Sequence, residues 1–346
     1  MAKNGKILSS KTFLLKNACY RRYFTGLDIA EGIILVGKVN AYFLDARYYF
    51  AFDTKIKEKG FVPVLYNGIE TLKNFIKEQN ISSLYLDFPS VTLSEYKEYK
   101  TFGVTLRDGS NALKEMRAIK NEFELDSIKK ACYITEKSFY ETLQCVKEGI
   151  TELEFKTLLE ENYIKNGASG PAFSTIVAFN ENSAIPHHET SGAILKPESV
   201  ILVDTGCIVN GYMSDYTRTF YFGKNPPNKF VKSYEAVLTA NEIVLKNVKS
   251  GMLHSEIDAL ARDYLDKQGL KEYFTHSLGH GVGLEIHEYP TLSYRSTRKI
   301  RNGMVFTVEP GVYFNKEFGI RIEDTVCLIN GKAERLFKDE KNLLII

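Results

Sequence analysis

The sequence predicts an α+β protein in which a smaller α/β domain, residues 1–117, precedes a larger pseudo-symmetric α+β domain, residues 118–346. Three observations carry that prediction. Short β-rich and helical runs alternate in the first third, the pattern turns to long amphipathic helices near Asn121, and the second part repeats itself. A chain of 346 residues is about twice the usual domain length, which fits two units.

Taken in order, Ile33 to Val36 and Ala41 to Leu44 read as buried strands, Leu72 to Lys77 as part of a helix, and Leu84 to Phe88 as a further strand. The first unit runs out through Arg107 to Asn111, whose Asp, Gly, Ser and Asn read as a loop, and the boundary falls near Arg117. Beyond it, Phe123, Ile128, Ala131, Thr135, Phe139, Leu143 and Val146 keep helical spacing while Glu and Lys fill the other face. The repeat follows. Val146, Lys147, Gly149, Glu154, Leu158 and Gly167 recur at an offset of 102 residues as Val248, Lys249, Gly251, Glu256, Leu260 and Gly269. Coincidence between two amphipathic helices that start at a Gly turn is the competing explanation. Read as a repeat, it places a functional site between two similar halves.

Composition narrows the function. Lys+Arg of 45 against Asp+Glu of 43 leaves a net charge of +2, too balanced for a nucleic acid or an anionic membrane as partner. The five cysteines, Cys19, Cys132, Cys145, Cys207 and Cys327, are scattered without a C-x-x-C pair, which argues against a disulfide framework or thiolate zinc site and fits a reducing cytoplasm. The apolar run around Thr12 to Leu15 is shorter than the roughly 7–15 apolar residues of a signal peptide. Other apolar runs are strand-sized, far below the roughly 18 residues of a membrane span. A soluble cytoplasmic protein is expected.

The chemistry sits in strand-like sequence. Asp204 ends the apolar run Ser199 to Val203, and Asp215 opens another β-rich run after the turn signal Asn210-Gly211. Glu309 follows Met304 to Val308, Glu323 lies in the alternating run Gly319 to Val326, and His280 sits in a Gly-rich segment flanked by His276 and His287. The chain has only six histidines, and of these His254 alone sits on a helix, where a solvated role is expected. Taken singly, the aspartates read as strand caps or turn residues. Together, four carboxylates set among apolar strands need matching cations, because burying even one unpaired carboxylate costs several kcal/mol. Two divalent ions would balance four carboxylates. Oxygen-rich ligation with one imidazole suits manganese, cobalt, zinc or iron.

These residues carry a resemblance. Asp204 in VDTG, Asp215 in SDYTRTF, His280 in GHGVGLEIHE, Glu309 in TVEPG and Glu323 in GIRIED, in that order, make residues 120–346 similar to the pita-bread metallopeptidases, the group of aminopeptidase P, prolidase and methionine aminopeptidase. The resemblance implies a pita-bread fold for the second domain. It also implies two divalent ions, manganese first with cobalt or zinc as alternatives, in which Asp204 chelates one ion, Asp215 and Glu323 bridge both, and His280 and Glu309 complete the other. The ions would activate a shared water, and Glu309 would move its proton to the leaving nitrogen. His187 and His287 resemble outer histidines that touch the substrate and the tetrahedral intermediate. His276 resembles a shuttle histidine, or is a solvated loop residue; Arg321 supports the bridging carboxylate or the substrate, or is a strand-surface arginine. Relatives of this kind are often homodimers.

The first domain points to one branch. Methionine aminopeptidases resemble only the second domain, whereas aminopeptidase P and prolidase carry an α/β domain in front, and Tyr42 to Tyr48 is similar to a segment of it. The implied reaction is hydrolysis of the Xaa-Pro bond, in dipeptides or in longer peptides with proline second. Such a bond lacks the N–H that ordinary peptidases grip. Arg295 matches a position where some prolidases bind the dipeptide carboxylate, for which a guanidinium fork is well shaped; it also reads as part of a solvated basic loop. Methionine aminopeptidase-like activity and a non-catalytic binding relative are the alternatives. The latter, like creatinase, would lack metal ligands, and all five candidates are present here.

Overall fold

The chain folds as two compact units, the first closing at Arg117 and the second spanning Ala118–Ile346. The structure, a computed structural model, describes residues 10–346, so the first nine residues of the N-terminal stretch weighed as a signal peptide lie outside the described residues.

The first unit is built on a six-stranded sheet. Its strands are β1 (Phe13–Leu15), β2 (Ile33–Val36), β3 (Ala41–Leu44), β4 (Val62–Leu65), β5 (Ser83–Leu86) and β6 (Thr105–Asp108), and its helices are α1 (Ala18–Thr25), α2 (Ala46–Glu58), α3 (Ile69–Glu78), α4 (Leu93–Lys100) and α5 (Ser110–Ala118). The strand order is β4-β3-β2-β1-β5-β6, with β1, β5 and β6 parallel and β1, β2 and β3 antiparallel. The central strands β1, β2 and β3 are buried at every position because both faces are covered: Phe13, Leu15, Ile34 and Val36 enter one core, Leu14, Leu35, Ala41 and Phe43 the other. Pro63 lies in edge strand β4, where a missing backbone donor is tolerated. Arg107 and Asp108, read from sequence as loop, complete the other edge strand. An edge strand pairs on one side only and accepts charged side chains that a central strand would reject.

The second unit contains α6 (Glu122–Leu143), α7 (Glu152–Lys165), β7 (Ile176–Phe179), β8 (Ser199–Thr205), β9 (Ile208–Val209), β10 (Tyr212–Met213), β11 (Tyr216–Phe222), α8 (Asn228–Asn247), α9 (His254–Lys267), β12 (Gly279–Gly281), β13 (Glu288–Leu292), β14 (Val305–Val308), β15 (Gly311–Phe314), β16 (Phe318–Arg321), β17 (Glu323–Ile329) and β18 (Lys332–Arg335). Its large sheet runs β13-β12-β14-β17-β11-β8-β7, with β18 added to β17. The order reads alike from both sides of the β11–β17 seam: β11, β8, β7 one way and β17, β14, β12 the other.

The repeat seen in the sequence is this symmetry. Helices α7 and α9 begin and end at the offset of the sequence match, and Gly149 and Gly251, which precede them, share a positive φ of 90° and 93° that favours glycine. Each glycine N–H donates to a carbonyl of the following loop, Gly149 to Leu195 and Gly251 to Ile300. Capping boxes Asn121/Glu124 and Thr151/Glu154 start α6 and α7.

One assignment fails here. His254, expected to be solvated, is fully buried, with Nδ1 3.0 Å from Ser296 Oγ and its ring against Tyr289. It opens α9 where the loop ending at Ile300 folds back over the helix start; its repeat counterpart Glu152 is buried in the same way at the start of α7. Residues 342–346 run back along β11, with Tyr221 N donating to Leu344 O and Ile346 N to Tyr221 O. Among the described residues, no helix is long and apolar enough to cross a membrane.

Candidate metal centre

The four candidate carboxylates lie at strand ends on both sides of the seam. Asp204 is the penultimate residue of β8 and Asp215 immediately precedes β11; on the other side Glu309 immediately follows β14, Glu323 opens β17 and His280 is the middle of β12. Register brings them together: Thr217 of β11 pairs with Asp204 on one side and Glu323 on the other, so three neighbouring side chains share one face of the sheet. His280 Nε2 lies 3.5 Å from Asp215 Oδ2 and 3.4 Å from Glu309 Oε1. Ligand atoms of Asp215, His280 and Glu323 fall within 4.8 Å of one another.

This crowding is electrostatically unfavourable for the protein alone. Burial, then the charges of Glu323 and Asp204, pushes the Asp215 carboxyl well above its ordinary range. Burial with Glu309 and Asp204 does the same to Glu323. Burial raises Glu309 to about 7, with Asp204 adding to the shift and Arg321 opposing it. One oxygen of each partly satisfied carboxylate is held, Asp204 Oδ2 by Arg321 Nη2 at 2.6 Å and Glu323 Oε2 by Thr217 Oγ1 at 2.6 Å. The other oxygens, Asp204 Oδ1 and Glu323 Oε1, are buried and accept no hydrogen bond.

The His280 Nδ1–H donates to Gly281 O at 3.1 Å, which fixes the tautomer that leaves Nε2 as an acceptor, while burial lowers its proton affinity. Orphaned carboxylate oxygens and an unprotonated imidazole nitrogen fit divalent cations, and no thiolate among them favours a softer metal.

All five side chains line a cavity of about 510 Å³, together with His187, His276, His287 and Arg321. The His287 ring packs edge-on against His280 with centroids 4.3 Å apart. His187 is exposed at the cavity wall. His276 is tied into the site: its Nδ1–H donates to Ser277 O at 2.8 Å, and Nε2 lies 3.0 Å from Tyr313 OH. Burial, with Arg321 beside it, takes its pKa down to about 4, so it stands neutral.

Arg321 is buried rather than a strand-surface residue, and it reaches Asp204, Tyr313 OH at 2.7 Å and Thr217 Oγ1 at 3.1 Å. Through Thr217 it supports Glu323 as well as Asp204. Arg295 does not line the cavity; it is exposed, with its guanidinium 5.0 Å from the Tyr294 ring.

Sequence reasoning overlooked several groups. Thr307 Oγ1 donates to Glu309 Oε1 at 3.0 Å and receives the His280 N–H at 3.0 Å. Thr325 Oγ1 exchanges hydrogen bonds with both backbone groups of Asp215. Tyr313 links His276 to Arg321. The two-residue alternation that puts Thr307 on the face of Glu309, and Thr325 on that of Glu323, was the available signal.

Comparison with known proteins gives a consistent picture. The sequence profile of metallopeptidase family M24 matches residues 126–330. A Xaa-Pro dipeptidase of Pyrococcus furiosus is 34% identical over 326 residues, 93% of this chain and 92% of that one. Among solved structures, an X-Pro aminopeptidase from Thermotoga maritima superposes with a TM-score of 0.91 at 33% identity, covering 99% of this chain and 100% of that one. A Xaa-Pro dipeptidase from Bacillus anthracis superposes with a TM-score of 0.94 at 32% identity, covering 100% of this chain and 99% of that one.

Proposed function

This chain belongs to metallopeptidase family M24, and from that premise we propose that it is a dinuclear-metal peptidase that hydrolyses the Xaa-Pro bond and releases the residue before proline. The observation that carries the reading is the set of unmatched carboxylate oxygens and one free imidazole nitrogen facing a cavity large enough for a dipeptide. Asp204, Asp215, His280, Glu309 and Glu323 would hold the ions, with Asp215 and Glu323 shared between them. Bound there, two divalent ions supply Lewis acidity and lower the pKa of water toward neutrality.

The remaining steps belong to the chain. Glu309, with Oε1 fixed by Thr307, keeps Oε2 free to take a proton from the attacking water and deliver it to the leaving nitrogen. His287 and His187, at the cavity wall, contact the substrate and the developing oxyanion. Arg321 is a positioning residue: it fixes Asp204 directly and Glu323 through Thr217. His276 reaches the site through Tyr313, in line with a proton-relay role.

Xaa-Pro dipeptides and longer peptides with proline second are the proposed substrates, supported by the names of the dipeptidase and aminopeptidase relatives. Manganese is the proposed ion, with cobalt or zinc as substitutes, and a cytoplasmic homodimer the proposed form. The test is direct. Protein stripped with a chelator should lose turnover of Gly-Pro and of a Gly-Pro-containing tripeptide, and adding back manganese, cobalt or zinc should restore it. Activity untouched by the chelator, or none with any metal restored, would overturn the reading.

Arg295 sharpens the substrate question. It lies four residues past Thr291, which lines the cavity, and is proposed to meet the free carboxylate of a dipeptide. Arg295→Ala should then raise KM for Gly-Pro by roughly tenfold, the scale of one charge-assisted hydrogen bond, while leaving the tripeptide unchanged. Equal effects on both substrates would assign Arg295 to the solvated loop.

A further inference from the structure

The first unit contains a second cavity, of about 190 Å³, that the peptidase reading leaves without a role. It opens at the carboxyl ends of the parallel neighbours β1 and β5: Lys16 follows β1 and Asp87 follows β5, while Glu95 and Tyr99 reach it from α4. The carboxyl ends of parallel strands are where open α/β sheets take ligands, because the chain ends there in loops that part to leave a crevice.

The charges in this cavity do not cancel. Lys16 Nζ pairs with Glu95 Oε1 at 2.7 Å, and Glu95 Oε2 is committed to Thr92, accepting from its N at 3.0 Å and its Oγ1 at 2.9 Å. That leaves Asp87. The residue is 7% exposed, yet no side-chain hydrogen bond or ion pair reaches its carboxylate among the described residues; the nearby Ser90 hydroxyl is spent on the Asp87 backbone carbonyl at 3.0 Å. The Tyr99 side chain, 4% exposed, likewise has no hydrogen bond to its hydroxyl among the described residues. The Asp87 carboxylate thus lines the recess with no protein cation beside it, and a cationic ligand is the complement it lacks.

We propose that this cavity binds the α-ammonium group of a small amino acid or of a peptide N-terminus, with Asp87 as its counter-ion. The ammonium sits between the Asp87 carboxylate and the Tyr99 hydroxyl, two acceptors for its three donors. Lys16 at the rim meets the carboxylate of a free amino acid. A bare metal ion fits less well, since it demands several oxygen ligands and the Glu95 oxygens are already engaged. The volume is also that of several waters, at roughly 30 Å³ each, rather than of one ion. The site shares no residue with the peptidase centre.

Ligand-observed saturation-transfer NMR on the metal-free full-length chain tests this with glycine, Gly-Gly-Gly and N-acetylglycine as probes. Wild type should bind glycine or Gly-Gly-Gly saturably, Asp87→Asn should weaken that binding at least tenfold, and Asp215→Asn should leave it unchanged. N-acetylglycine, which keeps the carboxylate and lacks the ammonium, should give no signal. Glycine binding alone assigns the cavity to free amino acids; Gly-Gly-Gly binding alone assigns it to peptide N-termini. Equal binding by wild type and Asp87→Asn, equal binding of N-acetylglycine, or no binding of any probe by wild type overturns the proposal. Should Asp87→Asn fail to fold, Asp87→Ser serves as the second variant, and the circular dichroism spectrum of each is compared with wild type.

Discussion

Replacing Asp215 by Asn or Glu323 by Gln is expected to abolish Xaa-Pro hydrolysis and, in metal-free protein, to raise the melting temperature. Each proposed bridging carboxylate serves both ions, so its loss should reduce kcat/KM by well over the 10–100-fold that outer partners of metal ligands typically contribute; the alanine variants should be equally inactive. Without metal the same substitutions relieve the structure. Asp215 and Glu323 are 4% and 2% exposed, and burial and mutual repulsion raise both carboxyls. A neutral amide removes one charge from that group. For a domain of this size, each kcal/mol regained shifts the melting temperature by about 2–4 °C.

The pH dependence follows with a definite sign. Glu309 stands at about 7 in the folded chain against an ordinary 4.5. Between those values the folded metal-free protein holds more protons than the unfolded one, so its stability is full below the lower value and is lost as pH rises through the higher. Asp215 and Glu323 shift in the same direction. Asp324 titrates elsewhere: burial alone would raise it, but Arg218, Arg335 and Lys341 hold it down at about 2. Burial lowers the proton affinity of His276, His280 and His287, which acts with the opposite sign below their ordinary value of 6.5. Thermal melts from pH 6.5 to 8 should therefore fall in chelator and stay flatter with manganese, where ions stand in for protons. A melting temperature rising with pH in chelator, or active Asp215→Asn enzyme, would refute the shared-ligand assignment.

The candidate ligands could be picked out because each lies in its own short string, and an acidic residue at the end of an apolar strand is an anomaly visible without neighbours. Their supports were not. Thr217 serves Glu323 across 106 residues of chain and Arg321 serves Asp204 across 117. Such pairs depend on strand register, which a hydrophobic pattern fixes to a face but not to a partner. Arg321 could thus be singled out, yet its choice between ligand and substrate stayed open until β16 was placed. The repeat was visible as a helix match. That it also relates Asp204 to Glu309, and Asp215 to Glu323, appears only once the sheet order is known. His254 shows the converse limit: helical periodicity describes a helix's faces, whereas burial at its first residue is decided by the loop that folds over it.

Arg218→Ala is expected to destabilise the second unit by about 3–5 kcal/mol, the typical result of removing one partner from a buried ion pair. Arg218 follows Thr217 on β11, so its side chain leaves the opposite face of the sheet from the metal centre. There its Nε and Nη2 reach the two Asp339 oxygens at 2.8 and 2.9 Å, Nη2 also reaches Asp324 Oδ1 at 2.8 Å, and its guanidinium lies 4.2 Å over the Tyr216 ring. Both carboxylates are fully buried at the side chain or nearly so, and alanine would leave them to Arg335, Lys341 and the Tyr216 hydroxyl.

The same guanidinium donates through Nη1 to Glu323 O at 2.6 Å and Thr217 O at 2.9 Å. It therefore clamps the backbone of Glu323, the proposed shared carboxylate, and of the threonine that orients it. Loss of the clamp should weaken metal binding by 10–100-fold, the range for outer partners, beyond the general loss of stability. Arg218→Lys separates the two effects. Lysine restores a buried cation, and with it part of the stability, but a single ammonium cannot span two carboxylates and two carbonyls at once. Its metal affinity, read by titrating manganese into stripped protein at a temperature where the variant is fully folded, should stay low while its melting temperature recovers. Recovery of both together would mean that Arg218 acts on the centre only by holding the fold.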